Sequence, residues 1–78
     1  MSPEEVKQVV LGRMLSVPYS IVTRSGLHYP IVDHANAFIT PAYPETLIVA
    51  VPGKGIALVG LTSIDAIHAE HEPTPDRA

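Results

Sequence analysis

The sequence predicts a mainly β domain: one N-terminal α-helix, then five short antiparallel strands of which the second is strongly bent. Three observations carry this. Apolar residues recur at helical spacing only as far as Met14. From Tyr19 onward the apolar period drops to two, the period of a half-buried strand. Ser25-Gly26 and Pro52-Gly53-Lys54-Gly55 then interrupt the apolar runs as turns. A chain of 78 residues holds one domain, and its 46% hydrophobic content excludes a charge-dominated disordered segment. With four aromatics (Tyr19, Tyr29, Phe38, Tyr43) and no Cys, a small core forms without a disulfide staple. Marginal stability, or support from self-association, is the expectation.

The helix begins at Ser2-Pro3-Glu4-Glu5. Ser2 caps, Pro3 sits where a missing N–H costs nothing, and Glu5 completes a capping box. Val6, Val9, Val10 and Met14 make its apolar stripe, Gly12 weakens its interior, and Pro18 stops it near Leu15. Tyr19 to Arg24 is the first strand. His28 to about Asp33 pairs back on it, with Pro30 marking an edge position or a bulge. Asp33-His34-Ala35-Asn36 reads as a bend, because Ala37 to Thr40 resumes an extended pattern, so one long bent second strand is expected. After the stiff loop Pro41 to Glu45 come strands at Thr46–Val51 and Ile56–Leu61. Both are almost wholly apolar, as where each face is covered. Thr62-Ser63 connects to a last strand, Ile64 to His68. Residues 1–69 form the domain, and 70–78, polar and rich in Pro, form a flexible tail.

Charge narrows the function classes. The net charge is −3 and the pI near 5.7, with Lys7, Arg13, Arg24, Lys54 and Arg77 scattered along the chain. Nucleic-acid binders cluster their bases, so broad phosphate-backbone binding is disfavoured and RNA stands only as the alternative partner, at a small local pocket. The acidic start is unlike a signal peptide, and no apolar run approaches the roughly 20 residues of a membrane helix. A cytoplasmic protein with no membrane partner is the expectation. The absence of Cys removes thiol nucleophiles and Cys-ligated metals.

A helix followed by five short strands with a bent second one resembles the Sm-like small β-barrel. The bacterial Sm-like RNA chaperones open their first strand with a Val-Pro-x-Ser-Ile-x4-Gly stretch, matched here by Val17-Pro18-Tyr19-Ser20-Ile21 and Gly26. Their closing pattern is matched by Ser63-Ile64-Asp65-Ala66-Ile67. Where that family carries Tyr-Lys-His before the last strand, Gly60-Leu61-Thr62 stands here, so its base-stacking and phosphate-binding residues are missing. The chain also resembles a group of short bacterial proteins without an established activity. Pro18-Tyr19-Ser20-Ile21, Gly26, Tyr29-Pro30-Ile31, His34-Ala35 and Leu61 to Ile67 carry that likeness, with Ala35 in place of Pro and one extra residue between Gly26 and His34. The first resemblance spans about residues 3–69, and both imply a five-stranded, SH3-like open barrel. Neither implies a cofactor.

Candidate chemistry is sparse. His68, Glu70, His71 and Glu72 offer imidazoles and carboxylates of the kind that bind Zn²⁺, but a Pro-rich terminus gives them no rigid support. His68 and His71 are thus weak metal candidates, and a metal-dependent site would draw on His28 and His34 as well. Asp33-His34 suggests an acid-oriented base, yet neighbours on an extended strand face opposite ways, and His34 reads better as bonding the bend backbone. No Gly-x-Ser-x-Gly motif accompanies the serines, and Gly53-Lys54-Gly55 precedes a strand instead of the helix a phosphate loop requires. No enzyme, cofactor or metal is expected. Tyr19, Tyr29 and Phe38 read as core, whereas Tyr43, between Pro41 and Pro44, is free to meet a partner.

Strand edges supply the remaining functional feature. An open barrel has two, and Thr46–Leu61 carries only Lys54 as a charge to discourage pairing. Sm-like domains pair the fourth strand of one subunit with the fifth of the next. Val49, Val51, Ile56, Leu58, Val59, Ile64 and Ile67 would then divide between core and interface. With Tyr43 and Leu61, the last three are the interaction candidates for a homo-oligomer or a protein partner.

Overall fold

In the computed structural model, which describes residues 1–69, the first helix, α1, runs from Pro3 to Leu11. The predicted tail at 70–78 and its His71 lie outside the described residues. The capping box forms in both directions. The Glu5 amide donates to Ser2 Oγ at 3.2 Å, and the Ser2 amide donates to Glu5 Oε1 at 2.8 Å. These bonds from Ser2 hold the Glu5 carboxyl below its ordinary pKa. Ser2→Ala is therefore expected to cost about 1 kcal/mol at neutral pH, read as a shift in the urea midpoint. A carboxyl whose pKa is lowered by folding stabilises the fold above its unfolded pKa. The effect of the substitution should accordingly shrink as the pH falls below the ordinary carboxylate range.

The helix stops a turn earlier than its apolar stripe predicts. Gly12 is its C-cap, and Arg13 takes the left-handed conformation at φ 52°. The Met14 amide donates to the Val9 carbonyl at 3.0 Å and the Arg13 amide to that of Val10 at 3.3 Å, the paired bonds of a Schellman motif. Gly12 is thus a terminator. A Cβ there would collide with the Gln8 carbonyl oxygen. Met14 leaves the stripe and is exposed, while Val6 and Val10 are buried.

Among the described residues six strands follow, in two antiparallel sheets. In the first, β1 (Tyr19–Thr23) lies between β2 (His28–Ile31) and β6 (Ile64–Ala69), with a register shift against β6 at Val22/Thr23. In the second, β4 (Thr46–Val51) lies between β3 (Ala37–Phe38) and β5 (Gly55–Gly60). Pro30 falls on an outer strand, where its missing N–H costs no ladder bond. The single bent strand expected from residue 28 onward is divided into β2 and β3. A 3₁₀ turn at His34–Asn36 interrupts it, capped by Asp33, whose Oδ1 accepts from the Ala35 amide at 2.9 Å. A short polar side chain that bonds the backbone two residues on competes with a continuing ladder, and the chain passes here from one sheet to the other.

The inward faces of both sheets and the buried side of α1 share one core. Ile21, Ile31, Leu47, Val49, Leu61 and Ile64 are almost or wholly inaccessible, as is Tyr19. A second 3₁₀ turn, Leu61–Ser63, joins β5 to β6. Its backbone is tied down by the Leu61 amide on the Glu45 carbonyl at 2.9 Å and the Arg24 amide on the Ser63 carbonyl at 2.8 Å. The strands β5 and β6 flank this turn but belong to different sheets, and each is an outer strand of its own.

Candidate functional site

Side-chain alternation along β4 and β5 defines the most unusual surface of the molecule. Leu47, Val49 and Val59 point into the core. Their neighbours point outward, as the two-residue period requires. Strand register places Phe38 beside Ile48 and Ile48 beside Leu58, so three large apolar side chains form one row across the sheet. Ala50 and Ile56 make the row on one side of it, and Thr46 and Gly60 the row on the other. Ile56 is 70% exposed, Leu58 72% and Phe38 40%. No charged residue occurs in β3, β4 or β5. At one end, Tyr43, 65% exposed, bounds a shallow hollow of about 350 Å³ with Thr46, Ile48, Leu58 and Gly60. A sheet face this apolar, without charge and open to water, is a surface suited to association.

The residues singled out in the sequence separate cleanly. Tyr43 stands at this face. Val59, Leu61 and Ile64 are buried and fall to the core, so their side chains are not free to meet a partner. Ile67 is partly buried against that core. Phe38, expected in the interior, is on the outside instead, because Ala37 takes the inward position of β3. Phe38 and Ile48 were missed as surface residues. The small-large pair Ala37-Phe38 was the available signal, since the smaller side chain fits against a filled core.

The histidines do not converge. His28 is exposed on β2 opposite Val22, and His68 is exposed on β6 opposite Ser20. Among the described residues no three His, Asp or Glu side chains gather at one point. His34 does not cap the bend as expected. The Asp33 carboxylate does so, and is thereby engaged with the backbone instead of orienting an imidazole. The His34 ring lies instead 6.4 Å from that of Tyr19, tilted by 45°. Tyr19 is buried with its hydroxyl unpartnered, and burial pushes its pKa up. This pair is an aromatic contact closing the core beneath the bend.

No family model, curated protein or solved structure matches the chain. Among the described residues no helix is long and apolar enough to cross a membrane.

Proposed function

We propose that the protein is a small non-enzymatic module of the Sm-like kind, which self-associates through its outer strands and acts as a protein-interaction or regulatory part. In this reading β2 and β3 are the two halves of one bent strand, and the two sheets form an open five-stranded barrel. The observation that carries it is β5. This strand is an outer one, it bears no charge, and it presents Ile56 and Leu58 to water. Natural outer strands are ordinarily guarded by Lys, Pro or a bulge. Pairing β5 of one copy with β6 of the next satisfies the open backbone groups of both strands and lays a new strand alongside Ile56 and Leu58.

Light scattering on a sizing column at low micromolar concentration tests this. The expected mass is an integral multiple of 8.4 kDa, falling toward the single-chain value on dilution. A single-chain mass at every concentration would overturn the proposal.

A further inference from the structure

A second concavity lies where β2 of one sheet meets the β4–β5 turn of the other, bordering the apolar rows at Ile56. It encloses about 460 Å³, within the range of small-molecule sites. Val32, Val51, Pro52, Ile56, Ala57 and the ring of Tyr29 supply apolar walls, and His28 and Lys54 are the two basic side chains on its lining. Among the described residues, no carboxylate lines this cleft. Among the described residues, neither Lys54 nor His28 makes an ion pair or a side-chain hydrogen bond, the one ion pair there being Lys7–Glu4. The turn that carries Lys54 is fixed by left-handed glycines on either side, Gly53 at φ 76° and Gly55 at φ 99°. The Lys54 amide also bonds the Val51 carbonyl at 2.9 Å. The backbone under the ammonium is therefore held, while its side chain keeps all its donors free.

We infer that this cleft binds a small apolar molecule bearing a single carboxylate. Charge complementarity selects that class. The ammonium of Lys54 and the imidazole of His28 both donate to a carboxylate, and charge-assisted bonds are the stronger ones. The apolar walls bury the chain or ring to which the carboxylate is attached. An ammonium-bearing amphiphile of the same shape meets Lys54 with like charge and is rejected. The cleft shares Ile56 with the face proposed for self-association, but binding at it needs only one copy of the chain.

The test uses octanoate, octan-1-ol and octylammonium as probes against the full chain, followed by amide and side-chain NMR shifts at low salt. Octanoate is expected to bind most tightly and to shift the signals of Tyr29, Val51 and Gly55. Octanol should bind more weakly at the same residues, and octylammonium not at all. Lys54→Gln, on an exposed turn, should weaken octanoate about fivefold to tenfold and leave octanol unchanged, as expected for one charge-assisted bond in a half-open site. Lys54→Glu should abolish octanoate binding. The inference fails if octanoate shifts no cleft signals at millimolar concentration. It fails equally if the three probes bind alike, or if Lys54→Gln leaves octanoate affinity intact.

Discussion

Ile21→Ala is expected to remove a large share of the stability of the fold, with a loss of about 2–5 kcal/mol. Ile21 is wholly buried at the middle of β1, the strand shared by both ladders of its sheet, and faces Tyr29 on one side and Ile67 on the other. A chain of this length has a total stability of roughly 4–12 kcal/mol. Deleting the methyl and methylene groups of Ile21 leaves a void that rigid ladders on both sides cannot close. A urea titration followed by far-ultraviolet dichroism should show the midpoint collapse, or no folded baseline at all. A midpoint within experimental scatter of the parent would mean that β1 is not the centre of the core.

The opposite outcome is expected one strand and one face away. Leu58→Lys should leave the urea midpoint nearly unchanged, because the side chain already stands in water. Its effect falls on association. Burying a leucine is worth about 1.5–3 kcal/mol, which corresponds to roughly a tenfold to hundredfold change in the association constant. The introduced ammonium adds a desolvation cost to the same step. Leu58 sits at the outer end of the Phe38–Ile48–Leu58 row, where the next copy would join, and Lys is the residue natural outer strands use as a guard. Light scattering should show the variant shifted to the single-chain mass at concentrations where the parent is assembled. Unchanged assembly would place the contact elsewhere. Val59→Lys, its immediate neighbour, should instead unfold the chain, since Val59 faces the core.

Much of the architecture was legible because local chemistry and global packing agree. Ser2, Pro3 and Glu5 specify a helix start by hydrogen bonding alone, and the Gly-containing turns specify hairpins by their backbone freedom. The helix end was misplaced because Gly12 can be read as a weak interior position or as a terminator. Only the left-handed Arg13 beyond it decides between them. The division of the second strand depended on Asp33 finding the Ala35 amide, a competition between two hydrogen-bonding modes that periodicity does not register. The surface was harder. In Thr46–Val51 and Gly55–Gly60 nearly every residue is apolar, so alternation leaves no mark on the sequence, and which face meets water is set by the register with β3. That is why the sequence does not tell the inward Val59 from the outward Ile48 and Leu58.

The tight 3₁₀ corner between β5 and β6 has a geometric corollary. It joins the rim strands β5 and β6, which belong to different sheets and do not pair with each other. Copies joined rim to rim must then add head to tail, and the rotation per added copy decides the outcome: a closed circle if it divides a full revolution, an unending fibre if it does not. Three residues, Leu61, Thr62 and Ser63, thus act as the protractor of any such assembly. Arg24, whose guanidinium Nε holds the Thr62 carbonyl at 3.1 Å, is the clamp that keeps the angle set.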